Sequence, residues 1–415
     1  MDMRPTARQQ ELIDTARALA KDRFEPRAAD YDRAARFPFE DYDDLRDAGF
    51  LGLCVPEDHG GLGADLETYC LVSEQLAQGN ASTALTFNMH CLTMLMMGEM
   101  ADAHDMSEEK RARHATLRAR NFREVVEKGV YYGQPHSEPV EEGETDKVFT
   151  VGGRRFGTIA DKVDGGYRLN GRKFFVSLSG AADYFATPAI LNVDGPFIER
   201  TLYLKVPRDA PGVTFSGDWD AIGMRATVSR NMVLKDAFVP DDGEILPPGV
   251  FGGLYLNSAH GPLLFSATFL GIMQHAYSYT LDYLTGGVDG APAKASVGPV
   301  MGNGIADMLC KVEAARALYL RSVSEAKLAP THEIRQRARA AHIMVQRTVV
   351  EVAQEAIRVC GGRALLKSFP LERLLRDAQA ASVMRPWTRE IATEAAWESA
   401  LRHARKANGT EEEPA

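Results

Sequence analysis

The stretch Asn170-Gly-Arg-Lys-Phe-Phe-Val-Ser177, near the middle of the chain, is a dense strand candidate. It begins with an Asn-Gly pair, which favours a turn, and continues with aromatic and β-branched residues, which favour extended structure. Residues 201–206 and 229–239 predict further strands, and prolines and glycines punctuate the sequence between them. The region 129–249 is therefore predicted to be antiparallel β structure.

Helical periodicity appears on both sides of this region. On the N-terminal side, apolar residues recur at helical spacing in residues 9–30, 39–49, 66–78 and 81–100. On the C-terminal side, residues 267–284, 305–328, 333–360 and 371–405 predict long helices, which are typical of bundles. The order of blocks is thus helical, β and helical, which predicts an α+β protein.

The composition of the 415-residue chain excludes several classes of function. A net charge of −9 argues against a nucleic-acid partner, which would require clustered basic residues. The five cysteines contain no CxxC pair, which predicts a reducing compartment and no disulfide framework or metal site. No apolar run reaches the roughly 18–20 residues of a membrane span, and the polar N-terminus does not look like a signal peptide. We therefore expect a soluble, cytoplasmic protein without a membrane partner.

Several short motifs occur in an order that resembles the acyl-CoA dehydrogenase superfamily. They are Val55-Pro-Glu-Asp-His-Gly-Gly-Leu-Gly63, Ser137-Glu-Pro139, Asn170–Ser177, Gly217–Thr227 with Asp220-Ala-Ile-Gly-Met-Arg225 inside it, Phe238-Val-Pro240, and Cys360-Gly-Gly362 followed by Pro370-Leu-Glu-Arg-Leu-Leu-Arg-Asp377. The resemblance implies an N-terminal helical domain (1–128), a central antiparallel β-barrel-like domain on the flavin side (129–249), a C-terminal four-helix bundle (250–405) and a tail (406–415). It also implies a homodimer or homotetramer.

The same resemblance implies FAD as the cofactor and assigns residues to it. Phe175 would cover one face of the isoalloxazine ring, and Ser177 would reach N5 or O4. The pyrimidine edge would meet Ser137 and the backbone near His136, with Thr145 a further candidate contact. Backbone from Arg358, Gly361 and Gly362 would contact the FAD diphosphate across a subunit interface. The family usually has an Arg and a Gln for the pyrophosphate and adenine, and residues 295–304 contain neither.

The catalytic base of the family is missing from its expected positions. The family dehydrogenates acyl thioesters, and it needs a carboxylate to remove the proton on the α carbon. The usual Glu position falls on Arg385, and arginine is not a base near neutral pH. The alternative position, at the start of the C-terminal domain, falls on about Gly261. The remaining candidates are His260 and His90. The apolar helix around His90 favours a core histidine bonded to a backbone carbonyl over a catalytic one.

Three functions remain open at this stage. The first is α,β-dehydrogenation of an acyl thioester, linked either to CoA or to a carrier protein, with an unidentified electron acceptor. The second is a flavin-dependent monooxygenase on the same fold, and the third is a non-catalytic acyl-binding protein. The basic run at 110–123 is either a solvated helix face or a contact for an acidic group or carrier protein. His332 and His342 are expected at the surface.

Overall fold

The N-terminal block of the computed structural model is helical. The structure describes residues 4–138, 149–151, 154–256, 258, 260–291, 297–384 and 388–409. The N-terminal helices are α1 (Ala7–Leu19), α2 (Glu25–Ala34), α3 (Phe39–Asp47), α4 (Leu66–Gly79), α5 (Ala81–Leu95) and α6 (Glu108–Lys128). Every residue of α5 is buried, as its all-round apolar pattern predicts. Two π-helical turns, Ala20–Phe24 after α1 and Met96–Met100 after α5, interrupt segments that the periodicity predicts as single helices.

A mixed sheet forms the middle of the chain. The strands are β1 (Tyr132–Gly133), β2 (Phe149–Val151), β3 (Arg154–Phe156), β4 (Ile159–Val163), β5 (Gly166–Val176), β6 (Tyr184–Leu191), β7 (Thr201–Pro207), β8 (Val213–Ser216), β9 (Arg230–Pro240) and β10 (Glu244–Leu246). Eight of them pair in the order β10-β7-β6-β4-β5-β9-β8, with β1 added beside β6, and β2 pairs separately with β3. Most pairs are antiparallel as predicted, but β1 and β4 both run parallel to β6. The predicted α+β fold class is therefore confirmed, but the sheet is mixed and not purely antiparallel.

The C-terminal block is again helical. Its helices are α7 (Val250–Leu256), α8 (His260–Thr285), α9 (Pro299–Ser324), α10 (His332–Cys360), α11 (Leu371–Ala378), α12 (Ala380–Val383) and α13 (Arg389–Ala407). Helices α8, α9 and α10 pack against one another, and α8 also packs against α4 and α5, which joins the two helical blocks. The prediction of one helix over 371–405 was wrong, because this region contains three helices. His342 is also buried rather than exposed, and its Nδ1 lies 2.8 Å from Ser266 Oγ.

Helix α6 carries the basic run and attaches the N-terminal block to the sheet. Arg113 Nε donates to Glu244 Oε2 at 2.9 Å, Arg120 forms an ion pair with Asp242, and Lys110 Nζ donates to the Pro248 carbonyl at 2.8 Å. These basic residues therefore have partners within the chain.

The domain boundaries stay predictions, although α6 ends at Lys128 and α7 begins at Val250. Within the described ranges, no helix is long and apolar enough to cross a membrane, and no group of metal-binding side chains occurs.

Candidate functional site

A cleft of about 320 Å³ lies where the three blocks meet. The buried helix α5 and the turn after it contribute an apolar wall of Leu85, Met89, Leu92, Met96 and Met100. The sheet contributes polar and aromatic residues, and α7, α8, α11 and α12 close the opposite side. No Asp or Glu is among the described residues that line the cleft. The arrangement suits a flat or elongated ligand that is mostly apolar.

Phe175 projects into this cleft because strand β5 contains a bulge. The register between β5 and β9 shifts between Lys173 and Val176, and Phe175 adopts a φ of +53°. A bulge changes the direction of a side chain that regular pleating would place elsewhere. The Phe175 side chain is 65% exposed, and its ring centroid lies 6.2 Å from that of Trp219, edge to face. Phe175 thus presents an aromatic face to a ligand.

Three hydroxyl groups form a chain beside Phe175. Ser177 Oγ lies 2.8 Å from Ser229 Oγ, which lies 2.8 Å from Thr227 Oγ1, and Thr227 donates to the Met224 carbonyl at 2.8 Å. Since that carbonyl can only accept, Ser229 donates to Thr227 and Ser177 donates to Ser229 when no ligand is bound. The lone pairs of Ser177 then remain available to a donor in the cleft. If Ser229 instead donates to Ser177, the Ser177 hydroxyl is free to donate to an acceptor in the cleft.

The backbone around these groups is strained. Phe175, Leu178, Met224 and Val228 all have positive φ, between +46° and +63°. This region is unfavourable for side chains with a Cβ, and most unfavourable for a β-branched residue such as Val228. Such strain is commonly found at functional sites, where the surrounding structure holds it in place.

Three contacts fix the loop that carries His136 and Ser137. The Phe174 N–H donates to the Ser137 carbonyl at 2.8 Å, which ties the loop to β5. Next to it, Glu138 forms a buried ion pair with Lys173, whose Nζ also donates to the Pro188 carbonyl at 2.8 Å. His136 Nε2 lies 3.2 Å from the Tyr203 hydroxyl. Both His136 and Ser137 line the cleft, as do Phe175 and Ser177.

The Arg376-Asp377 pair supports the opposite wall. Arg376 lines the cleft and makes two hydrogen bonds to Asp32, of 2.9 and 2.6 Å. Asp377 accepts the Met224 N–H at 2.5 Å, so it holds the turn that bears Thr227. Burial raises the pKa of Asp377 to about 6, while the bond from Met224 opposes this effect. Gly223 is required here, because an added Cβ would lie 2.2 Å from the Arg376 carbonyl oxygen.

The two histidine candidates have different environments. His90 is fully buried, its Nδ1 accepts the Tyr132 N–H at 3.2 Å, and its Nε2 donates to the Leu51 carbonyl at 2.7 Å. Both nitrogens are therefore used by the backbone, and burial lowers the pKa of His90 to about 4. This geometry favours the core interpretation of His90. His260 lies at the start of α8 beside Ser258, and Ser258 lines the cleft.

Three of the remaining predicted site residues are not brought into the cleft of this chain. Arg358, Gly361 and Gly362 lie at the end of α10 and are not among the residues that line the cleft. Arg358 is paired with Glu355. Their predicted role across a subunit interface stays a prediction. Thr145 and Arg385 lie outside the described residues.

The helical, β and helical blocks around an aromatic-lined cleft have the organisation of a flavin-dependent oxidoreductase. The chain belongs to the acyl-CoA dehydrogenase family: the models for the acyl-CoA dehydrogenase N-terminal and C-terminal domains match residues 6–113 and 263–385. It is 30% identical to a putative acyl-CoA dehydrogenase, YdbM, of Bacillus subtilis over 86% of this chain and 89% of that protein.

Two solved structures show the same fold. Butyryl-CoA dehydrogenase from Megasphaera elsdenii superposes with a TM-score of 0.80 at 23% identity, over 97% of this chain and 100% of that one. FMN-bound TdsC from Paenibacillus sp. A11-2, a dibenzothiophene monooxygenase, superposes with a TM-score of 0.78 at 23% identity, over 95% and 98% of the two chains.

The residues in the cleft fit the ring of a flavin. The exposed face of Phe175 supplies the flat apolar neighbour, and Ser177 can donate to or accept from a ring-edge nitrogen or oxygen. Sequence reasoning missed Ser229 and Trp219 as neighbours of this site. The hydroxyl of Thr227 in the Gly217–Thr227 motif was a signal for the chain of hydroxyls, but the motif alone does not specify where that hydroxyl points.

Proposed function

We propose that this oxidoreductase dehydrogenates an acyl thioester between its α and β carbons. Family membership supports this reaction. The main structural observation in its favour is the apolar wall of Leu85, Met89, Leu92, Met96 and Met100. These flexible side chains suit an acyl chain, because apolar surface is buried without a fixed polar pattern. The thioester would enter between this wall and Phe175, with the cleft excluding water from the reacting carbons.

The residues of the chain have separate tasks in this reaction. Phe175 holds the ring in place, and Ser177 contacts its edge, while Ser229 and Thr227 support Ser177. A bound flavin would accept the hydride from the β carbon. A base must take the α proton, and a hydrogen-bond donor must stabilise the charge that develops on the thioester oxygen.

We further propose FAD as the flavin and a homodimer or homotetramer as the assembly. Gly361, with a φ of +88° and ψ of −172°, and Gly362 support this, because an added Cβ at either residue meets no atom within 4 Å. Backbone at this exposed helix end is accessible to a diphosphate held by a second subunit. Chromatography of the flavin released by denaturation distinguishes FAD from FMN, and light scattering of the native protein gives the assembly.

The reaction is tested by the absorption spectrum of the purified protein. A flavin spectrum that bleaches under anaerobic conditions on addition of butyryl-, octanoyl- or palmitoyl-CoA is expected, whereas the corresponding free acids leave it unchanged. Mass spectrometry should then detect the α,β-unsaturated thioester. A spectrum that no acyl thioester bleaches contradicts the proposal.

A specific observation favours a second candidate function, that of a flavin-dependent monooxygenase. Among the described residues that line the cleft there is no carboxylate, and a monooxygenase does not need a base at the α carbon. In this case the protein would use reduced flavin and dioxygen. Oxygen consumption that requires added reduced flavin, and that an organic substrate couples to a hydroxylated product, distinguishes this function from the first.

A further inference from the structure

Ser258, His260 and Glu99 form a connected group at the edge of the cleft. Ser258 Oγ lies 2.9 Å from His260 Nδ1, and His260 Nε2 lies 3.8 Å from Glu99 Oε1. His260 is buried, with 2% of its side chain exposed. Ser258 lines the cleft, and so does Gly261, the residue at the family's alternative base position. The group therefore begins at the cleft wall and leads away from it.

The hydrogen-bond donors and acceptors in this group define the direction in which a proton can be transferred, from Ser258 to His260. The His260 N–H donates to Ser258 Oγ at 2.9 Å, so the hydroxyl already accepts one bond and is free to donate its own proton to Nδ1. With Nδ1 as acceptor, the ring proton is on Nε2 and faces Glu99. In this order of hydroxyl, imidazole and carboxylate, the imidazole can take the hydroxyl proton, which raises the electron density on the hydroxyl oxygen.

Glu99 is held in position for this role. Its Oε2 accepts the Leu66 N–H at 3.3 Å, which leaves Oε1 towards His260. Glu99 lies in the π-helical turn after α5, where Gly98 leaves helical backbone angles with φ −99° and ψ −110°. This departure changes the direction of Glu99 relative to a continuous helix. The neighbouring His260 side chain lowers the pKa of Glu99, against the effect of burial, which favours an ionised carboxylate beside the ring.

We propose that Ser258 is the catalytic base of this protein, with His260 and Glu99 as positioning residues, in place of the family's single carboxylate. The proposal rests on the proposed dehydrogenation. The bond between the α carbon and its hydrogen breaks, the proton passes to Ser258 Oγ, and the hydroxyl proton of Ser258 passes to His260 Nδ1. The imidazolium is stabilised by Glu99. The electron pair left on the α carbon forms the double bond as hydride leaves the β carbon, so the thioester loses two electrons, which a bound flavin would take up with the hydride.

The helix end contributes to this arrangement. Ser258 comes two residues before the first residue of α8, and a partial negative charge on its Oγ would face the backbone N–H of His260. Free N–H groups and the positive end of the helix dipole favour negative charge at such a position. Gly261, which has no side chain, leaves space next to Ser258 for the α carbon.

The test measures α-proton exchange, which does not require turnover. The holoenzyme is reduced with dithionite so that hydride transfer is blocked, and deuterium incorporation at the α carbon of butyryl-, octanoyl- or palmitoyl-CoA in D₂O is followed by mass spectrometry. Loss of a general base typically costs about 10²–10⁴-fold. Ser258→Ala and His260→Gln are expected to slow exchange by about 100-fold or more, and Ser258→Thr should retain it.

A second buried Ser–His pair provides the matched control. Ser266 Oγ lies 2.8 Å from His342 Nδ1 inside the C-terminal block, and neither residue lines the cleft. Ser266→Ala removes an equivalent hydrogen bond, and exchange should stay within about twofold of the wild type. Glu99→Gln should slow exchange about tenfold and leave the half-saturating thioester concentration unchanged. If Glu99 had only a structural role, both the exchange rate and the half-saturating concentration would change.

The outcomes separate this proposal from the proposed function. If thioesters bleach the flavin of the wild type and Ser258→Ala exchanges and bleaches at the wild-type rate, the base is elsewhere and only this proposal is overturned. If the wild type neither exchanges nor bleaches, the dehydrogenation is overturned and the base assignment with it. If Ser258→Ala does not fold, the comparison of Ser258→Thr with Glu99→Gln decides: equal rates overturn the proposal.

Discussion

Substitution of Phe175 by alanine should weaken flavin binding strongly while leaving the fold intact. The Phe175 side chain is 65% exposed, which corresponds to about 130 Å² of a phenylalanine side chain of roughly 200 Å². A ring stacked on one face would cover about half of that area, and about 65 Å² at ~25 cal/mol/Å² contributes about 1.6 kcal/mol. An aromatic pair adds about 0.5–1.5 kcal/mol. The sum of about 2–3 kcal/mol predicts a Kd that is roughly 30- to 150-fold higher.

The measurement is a calorimetric or fluorescence titration of the apoprotein with FAD and with FMN. Phe39→Ala serves as the control, because Phe39 is 49% exposed and lies on α3 away from the cleft. The free energy of unfolding of both variants should lie within about 1 kcal/mol of the wild-type value, since exposed side chains contribute little to stability. A Kd for Phe175→Ala within about threefold of the wild type, or an equal loss in Phe39→Ala, refutes the stacking argument.

Three further predictions concern the groups that support the cleft. Ser229→Ala removes the acceptor of Ser177 and should cost about 1 kcal/mol in flavin binding, with a shifted visible spectrum; an unchanged spectrum and Kd would count against the hydroxyl chain. For Asp377, burial raises the pKa in the folded state to about 6, above its ordinary value of 3.8, so ionisation of the carboxyl reduces stability as the pH rises through this range. Between pH 5 and 7.5 the wild type should lose about 1.4 kcal/mol of unfolding free energy relative to Asp377→Asn, as measured by urea denaturation, and parallel curves would contradict the assignment. Lys173→Met leaves Glu138 buried without its ion-pair partner and should destabilise the protein by about 3–5 kcal/mol, whereas the double variant with Glu138→Gln should recover part of this loss in the same assay.

The elements that the sequence predicted best are those whose own residues determine them. Helix α10 was predicted at 333–360 and spans His332–Cys360, because its apolar stripe persists over many turns. The prediction failed for residues 371–405, where the same apolar spacing continues although Pro386 cannot donate a backbone hydrogen bond. His342 was assigned to the surface from its charged neighbours in sequence. It is buried because the opposite face of α10 packs against α8.

The candidate site was predictable only in part, for a similar reason. Phe175 and Ser177 were identified through a motif within one strand, and they do line the cleft. Ser229 is distant in sequence from Ser177, and their contact depends on the turn at 225–228. Glu99 and His260 come from different blocks, and Glu99 lies in the π-helical turn that follows α5. Neither pairing follows from the local pattern of residues.

The strained backbone explains how these distant parts work as one site. Each non-glycine residue with left-handed φ costs of the order of 1–3 kcal/mol, and Phe175, Met224 and Val228 each carry this cost beside the cleft. Such conformations persist only where neighbouring contacts determine them. Asp377 holds Met224 through its N–H. Phe175 is the bulge residue of a strand whose ends are paired with β9. The contacts that offset the strain are therefore the same ones that direct an aromatic ring and a hydroxyl group into the cleft, so the geometry of the site depends on the β block and the C-terminal block together.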